Sequence, residues 1–244
     1  MVTVPAAQDG GNLVHIRLAG APIGPGDAGT PDSPVDVVAL VASAGGLAAL
    51  SQVLLALPND FNAALVIVQH LGGPASRLAE ILGRHSPLPV HWIADHDRLE
   101  PGHVYVCPPQ RLLKIRPDAE CSVRPMEPGH RLRPIDFFLA SLARSYGRRA
   151  MVVVLTGMGG DSAAGSEAVS QASGTVLVQS PKSAAYPMMP TAVIGIGAAD
   201  IVLPLSEFGR MIADVVAGGA SYRDFLLLVA AQTEGSLAGA RRRR

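Results

Sequence analysis

The sequence is poor in aromatic residues, in charge and in cysteine. Of its 244 residues, 4% are aromatic and 16% are charged, and the 20 basic residues balance the 20 acidic ones. A zero net charge argues against a general nucleic-acid-binding surface, because binding to phosphate backbones needs an excess of basic residues on one face. The 48% hydrophobic content is enough for one sizeable core, so we expect one domain with appendages.

Long hydrophobic runs and cysteine pairs are also missing. No apolar stretch reaches the roughly 18 residues needed to cross a membrane, and the first residues lack the basic and apolar regions of a signal peptide. We therefore expect a cytoplasmic protein that does not insert into membranes. Cys107 and Cys121 form neither a CxxC pair nor a disulfide framework, so the sequence predicts reduced, structural thiols.

The body of the sequence alternates between β-rich and helical segments. Strands are predicted at 35–42, 64–69, 89–93, 103–107, 151–155, 175–179 and 200–203, and a hairpin at 112–116 and 121–125. Helices are predicted at 46–56, 75–84, 135–146, 162–173, 189–196 and 205–217. This alternation predicts an α/β fold with a single doubly wound, mostly parallel sheet and helices on both faces.

The two flanks lack this pattern. Residues 1–34 are rich in Gly, Pro, Ala and Asp without lasting periodicity, so a flexible leader is predicted there. Residues 218–244 form a C-terminal extension, with room for one more helix before the basic tail from Arg241 to Arg244. The globular body is therefore expected at 35–217.

Three chemically active side chains follow predicted strands. Ser43 comes after the first strand, His70 after the second, and Asp161 after the most apolar one. Parallel sheets build their ligand sites beyond the carboxyl ends of their strands, so we expect these residues to lie close together. A serine hydroxyl is a weak nucleophile until a base takes its proton and a carboxylate orients that base. The pattern thus predicts a Ser-His-Asp hydrolase site.

Each of these residues also has a simpler interpretation. A serine or aspartate at a strand end is often only a helix cap, and Asp161 would then cap the helix predicted to start at Ser162. His70 would be a packed or capping histidine. The chain order Ser, His, Asp differs from that of the α/β-hydrolases, and Val41 stands where their GxSxG motif has Gly. A serine hydrolase site here would belong to another lineage.

Nucleotide and metal sites are less well supported. Residues 157–162 (GMGGDS) follow a strand and open a helix as a dinucleotide loop does, but Ser162 stands where GxGxxG needs Gly. The next strand ends at Gln179, without a carboxylate for a ribose. The seven histidines are scattered, with no HExxH motif and no cysteines at ligand spacing. We therefore predict no metal and no organic cofactor.

Six motifs stand out along the body of the chain. They are VASAGG at 41–46, VQH at 68–70, LEPGHVYV at 99–106, HRLRPID at 130–136, LTGMGGDSAAG at 155–165 and AAYPMMP at 184–190. Together they resemble the catalytic domain of the chemotaxis protein-glutamate methylesterases of the CheB type. The resemblance runs from about residue 36 to residue 216, and the LTGMGxDxAAG stretch is highly specific.

The resemblance implies an open α/β sheet with a Ser-His-Asp triad, and residues 35–217 as the catalytic domain. It also implies hydrolysis of a glutamate γ-methyl ester on a chemoreceptor or similar signalling protein, with glutamine deamidation as a second activity. Ser43 would attack the ester, His70 would take its proton, and Asp161 would orient the imidazole. The residues expected to bind the oxyanion or the substrate are Ala44, Gly45, Met158 and Arg133.

The chain departs from the family pattern in three places. Ala44 replaces the threonine that usually follows the nucleophile, and Gly160 stands where asparagine is often found. The amino-terminal phospho-receiver domain of many family members does not fit before residue 35, so a receiver partner is expected only in trans. Two other functions stay open, a non-catalytic binding module of the same fold and a less specific serine esterase.

Overall fold

The computed structural model of the chain describes residues 2–5, 13–16, 35–127 and 133–218. The strands are β1 (Val2–Pro5), β2 (Leu13–Ile16), β3 (Val37–Ala42), β4 (Ala64–Gln69), β5 (Val90–Trp92), β6 (Val104–Val106), β7 (Arg111–Ile115), β8 (Cys121–Pro125), β9 (Ala150–Val154), β10 (Thr175–Gln179) and β11 (Ile201–Leu203). The helices are α1 (Gly46–Leu55), α2 (Leu78–Gly83), α3 (Pro134–Tyr146), α4 (Ala163–Gln171), α5 (Met188–Gly195) and α6 (Phe208–Val216).

The main sheet has the strand order β1-β2-β11-β10-β9-β3-β4-β6-β5 in the described part of the chain. From β11 to β5, every strand is parallel to its neighbours. β1 and β2 add an antiparallel pair beside β11. The structure therefore confirms the predicted α/β fold with a mostly parallel sheet.

The central strands are buried on both faces, which explains their composition. β3, β4 and β9 consist almost entirely of Val, Ile, Leu, Ala and Met, and their residues are buried with the exception of the half-buried Gln69. One core contains side chains of α1, α2 and α6, and the other contains side chains of α3, α4 and α5. Phe208 of α6 and Phe138 of α3 are fully buried in these two cores, and burial of such a side chain contributes about 1.5–3 kcal/mol. The predicted helices on both faces are thus confirmed.

The chain winds outward from the centre of the sheet in two directions. β3 pairs with β4 on one side and with β9 on the other. The helices that follow β3 and β9, α1 and α4, lie in different cores and hence on opposite faces. A crevice therefore opens beyond the carboxyl ends of β3 and β9, where such sheets place their ligands.

The predicted hairpin and the predicted free thiols are both confirmed. β7 and β8 form a separate antiparallel pair that packs on α3. Cys107 and Cys121 are buried and free. Burial raises the pKa of each thiol to about 12, so both stay protonated and unreactive at neutral pH.

The flanks are described only in part. Although the sequence pattern predicts no regular structure in 1–34, residues 2–5 and 13–16 form β1 and β2. The edge of β11 offers unpaired backbone groups to β2, and β2 in turn pairs with β1. The rest of the predicted leader lies outside the described residues, and so does the predicted extension after Gly218. Among the described residues, no helix combines the length and the apolar character needed to cross a bilayer.

Candidate active site

Ser43, His70 and Asp161 meet at the crevice between the central strands. Ser43 directly follows β3, His70 directly follows β4, and Asp161 lies in the loop between β9 and α4. Nδ1 of His70 is 3.2 Å from Oγ of Ser43, and Nε2 of His70 is 2.7 Å from Oδ2 of Asp161. The structure therefore brings the three predicted residues together in one hydrogen-bonded line, with the imidazole in the middle.

The chemistry of the partners fixes the proton positions on His70. An ionised carboxylate only accepts hydrogen bonds, so the Nε2 atom that faces Asp161 carries the proton of the neutral ring. Nδ1 is then the free acceptor, and the hydroxyl of Ser43 donates to it. This is the tautomer that a base needs in order to remove a proton from a serine nucleophile.

The side chains of His70 and Asp161 differ in their exposure to solvent. The side chain of His70 is 34% exposed, whereas that of Asp161 is 12% exposed. The imidazole is thus within reach of a substrate, and the carboxylate behind it is shielded from water. Shielding strengthens the interaction between Asp161 and the positive charge that forms on the ring.

Asp161 also caps a helix, but not the one expected from the simpler interpretation. Its Oδ1 accepts the N–H of Asp136 at 2.9 Å, and its Oδ2 accepts the N–H of Ile135 at 3.2 Å. Both donors belong to the first turn of α3 rather than to α4. The helix supplies two of the N–H groups that would otherwise lack partners, and these hold the carboxylate in place.

Asp136 performs the matching task for α4, a role that sequence reasoning did not predict. Its Oδ1 accepts the N–H groups of Ser162 at 3.1 Å and Gly165 at 2.7 Å. Burial raises the pKa of Asp136, and the nearby charge of Asp161 adds to this effect, although the hydrogen bond from Gly165 opposes it. An acidic residue in the first turn of a helix is common. The position of Asp136 in the sequence therefore does not distinguish a residue that caps a second helix from an ordinary residue at a helix start.

Arg133 connects the start of α3 to the loop that carries Asp161. Its Nε is 2.9 Å from Oδ2 of Asp136, and its Nη2 donates to the carbonyl of Gly160. The guanidinium therefore has two protein partners in this structure. Its predicted role in substrate binding remains a prediction.

Ala44 and Gly45 lie at the start of α1, next to Ser43. Gly45 has a φ of 76°, a left-handed conformation that favours glycine. Within the described residues, the amides of Ala44 and Gly45 have no hydrogen-bond acceptor. Two unpaired N–H groups at a helix amino terminus are suited to an oxyanion. The side chain of Met158, the other predicted contributor, is exposed in the loop after β9.

Ser43 faces a cleft of about 730 Å³. The cleft is lined by the loop at Ser43, the first turns of α1, Gln69 and His70, Ile81 of α2, and His85 shortly after α2. Exposed apolar side chains from three loops or helix starts lie around the same sheet edge; they are Leu47, Met158, Tyr186 and Met188. Leu47 also lines the cleft, and exposed apolar side chains near an open cleft are suited to contact with a polypeptide segment.

No metal centre accompanies this site in the part of the chain that the structure describes. No group of three or more His, Cys, Asp or Glu residues there is arranged to hold a metal ion. The three residues at the crevice have the side-chain types and hydrogen bonds of the nucleophile, base and orienting acid that serine hydrolases use for acyl transfer.

Comparison with known proteins identifies relatives of this chain. The sequence model of the CheB methylesterase family matches residues 38–212. A Myxococcus xanthus protein named protein-glutamate methylesterase/protein-glutamine glutaminase 4 is 37% identical over 184 residues, which cover 75% of this chain and 52% of that protein. A Pseudomonas aeruginosa protein named protein-glutamate methylesterase/protein-glutamine glutaminase 2 is 39% identical over 197 residues, covering 78% and 56%.

A solved structure gives the same result. The crystal structure of the Thermotoga maritima CheB methylesterase catalytic domain superimposes with a TM-score of 0.69 at 30% sequence identity, covering 75% of this chain and 100% of that domain. The chain spans about half the length of the curated relatives it matches. From the family match, the sequence identities and the shared fold together, we conclude that this chain belongs to the CheB methylesterase family.

Proposed function

We propose that this chain is a serine esterase that hydrolyses glutamate γ-methyl esters on a protein, releasing methanol and leaving a glutamate side chain. The observation that carries the proposal is the hydrogen-bonded line from Ser43 through His70 to Asp161. Family membership supports it, because the relatives bear the name protein-glutamate methylesterase. The proposed substrate is a methylated chemoreceptor or a similar signalling protein.

The geometry suggests how each residue acts. Ser43 attacks the ester carbonyl while Nδ1 of His70 takes its proton, and Asp161 stabilises the imidazolium. The amides of Ala44 and Gly45, together with that of Met158, hold the oxyanion of the tetrahedral intermediate. His70 returns the proton to the departing methanol. A water molecule, activated by the same base, then releases the acyl group from Ser43.

Glutamine deamidation is a second reaction of the same site. A γ-carboxamide carbonyl occupies the same position as the ester carbonyl, and ammonia leaves in place of methanol. The names of the relatives include protein-glutamine glutaminase, which supports this part of the proposal. A phospho-receiver protein acting in trans and a cytoplasmic location also remain predictions.

The proposal is tested by measuring methanol release from a methylated receptor fragment and hydrolysis of p-nitrophenyl acetate. The full chain is compared with its Ser43→Ala variant. We expect release of methanol by the wild type and none above background by the variant. Turnover of the small ester alone would indicate a less specific serine esterase. A folded wild type that hydrolyses neither compound would indicate a non-catalytic module.

A further inference from the structure

Two side chains hold successive carbonyl oxygens of the nucleophile loop. Nε2 of Gln69, the last residue of β4, donates to the carbonyl of Ser43 at 3.4 Å. Oγ1 of Thr156, which follows β9, donates to the carbonyl of Ala44 at 3.1 Å. The sequence contains both residues within recognisable motifs but gives no sign of this task.

The direction of these carbonyls determines the direction of two amides. In a planar trans peptide, the C=O and the following N–H point in opposite directions. A carbonyl of Ser43 held by Gln69 therefore turns the N–H of Ala44 the other way, and a carbonyl of Ala44 held by Thr156 turns the N–H of Gly45 away from Thr156. These are the two amides without acceptors at the start of α1.

Thr156 is well placed to control this geometry. Its side chain is buried, and its Oγ1 accepts the N–H of Tyr186 at 2.8 Å, which fixes the direction of the hydroxyl. The hydroxyl proton has two acceptors within reach, the carbonyl of Ala44 at 3.1 Å and that of Tyr186 at 3.3 Å. The carbonyl of Tyr186 already accepts the N–H of Gly157. Donation of the hydroxyl proton to Ala44 therefore gives both carbonyls a hydrogen-bond partner.

We infer that Thr156 is a positioning residue for the oxyanion amides, and that Gln69 assists it. This inference rests on the proposed hydrolysis at Ser43. The contribution of Gln69 is the smaller one, because the N–H of Gly46 also donates to the carbonyl of Ser43 at 2.9 Å. The hydroxyl of Thr156 is the one side-chain group among the described residues that donates to the carbonyl of Ala44.

The test compares Thr156→Val, which keeps the shape but removes the hydroxyl, with Thr156→Ser, which keeps the hydroxyl. Loss of one oxyanion donor typically lowers kcat by about 10²–10³-fold, and a misdirected donor costs less. With p-nitrophenyl acetate we expect Thr156→Val to lower kcat by about 10- to 100-fold with KM nearly unchanged, and Thr156→Ser to recover most of the activity. The pH midpoint of kcat/KM should stay where it is, because the pair of Ser43 and His70 is intact.

A merely structural role for Thr156 gives a different result. In that case Thr156→Val lowers the melting temperature and the fraction of reactive Ser43, but kcat per titrated active site equals that of the wild type. This result would overturn the inference, and so would equal kcat values for the Val and Ser variants. If Thr156→Val does not fold, Gln69→Leu is tested instead. We expect it to lower kcat by about threefold or more, and an unchanged kcat would overturn the inference. Failure of the proposed function itself is visible separately, as a wild type that hydrolyses neither ester.

Discussion

Asp161 caps α3, the helix that contains Asp136, and Asp136 caps α4, the helix that follows Asp161. The carboxylate of Asp161 accepts the N–H of Asp136 in the first turn of α3, and the carboxylate of Asp136 accepts the N–H groups of Ser162 and Gly165 at the start of α4. The residue proposed to orient the catalytic base is therefore also part of the packing between α3 and α4. Its catalytic and structural contributions should change together.

Asp161→Asn tests this coupling. The carboxamide has one acceptor oxygen for three N–H donors, those of His70, Ile135 and Asp136, so both the ring tautomer and the cap are disturbed. We expect kcat to fall by about 10⁴-fold and the free energy of unfolding to fall by about 1 kcal/mol. Kinetics and urea unfolding measure the two effects. Asp214→Asn in α6, which packs in the opposite core, is the control. If Asp161→Asn lowers stability but leaves kcat unchanged, Asp161 has only a structural role as a helix cap.

Ser43→Ala and His70→Ala each remove one partner of the 3.2 Å contact between Oγ of Ser43 and Nδ1 of His70. Each should lower kcat by several orders of magnitude, as loss of a triad member does in other serine hydrolases. The melting temperature should change little, because both side chains lie at the sheet edge rather than in a core. Ser170→Ala near the end of α4 is the matched control. More than about a tenth of wild-type kcat in Ser43→Ala would rule out this serine as the nucleophile.

Ser162→Gly should stabilise the protein. Ser162 has a φ of 132°, and its hydroxyl is buried without a hydrogen-bond partner among the described residues. Glycine removes both the backbone strain and the unpaired hydroxyl, so we expect a gain of about 1 kcal/mol in the free energy of unfolding. Ser162→Ala removes the hydroxyl but keeps the strain, and it should gain less. Thermal unfolding measures the stability of both variants. Equal stability of Ser162→Gly and Ser162→Ala would show that the backbone at residue 162 is unstrained.

Gly157→Ala and Gly160→Ala form a matched pair in the loop after β9. A Cβ on Gly157 would lie 2.0 Å from Sδ of Met189 and 2.9 Å from Cβ of Ser43, whereas a Cβ on Gly160 would meet nothing closer than 3.4 Å. Because Gly157 packs against the nucleophile, its alanine variant should lose both stability and activity. The variant of Gly160 should keep both within error. Comparable losses in the two variants would contradict this account of the loop.

The two thiols give a prediction about pH. Folding raises the pKa of Cys107 and Cys121 from 9.0 to about 12, so the thiols of the unfolded chain ionise first as the pH rises. Their contribution to stability is therefore complete below pH 9 and is lost progressively toward pH 12. Cys107→Ala should lose less stability than the wild type between pH 7 and pH 10. Rapid reaction of the folded protein with a disulfide reagent at pH 8 would contradict the burial of these thiols.

The sequence was sufficient to locate the central strands and the three residues at their ends. Uninterrupted apolar runs such as 64–69 and 175–179 predict buried parallel strands, and their observed bounds agree with β4 and β10. Once the strands are known to be parallel, their carboxyl ends must share one edge. Ser43, His70 and Asp161 were therefore expected at that edge, and the observed adjacency of β9, β3 and β4 is what brings them into contact.

The supporting contacts could not be predicted in the same way. The bonds of Thr156 to Ala44 and Tyr186 depend on the path of two loops, and a threonine after an apolar strand carries no periodic signal. The crossed caps of Asp136 and Asp161 depend on how α3 and α4 pack together. Backbone strain at Ser162 is likewise invisible in the sequence, because serine is an ordinary residue at a helix start.

The adjacency of β9, β3 and β4 makes the proposed esterase activity a measure of how far the sheet has folded. Ser43 and His70 lie 27 positions apart in the chain, and His70 and Asp161 lie 91 positions apart. Their side chains come into contact only after the central strands of the sheet have paired. During refolding, activity should therefore return with the slow formation of contacts between distant segments rather than with the early appearance of helices. A fragment that stops before β9 would hold Ser43 and His70 without Asp161, so its esterase activity should lie far below that of the full chain.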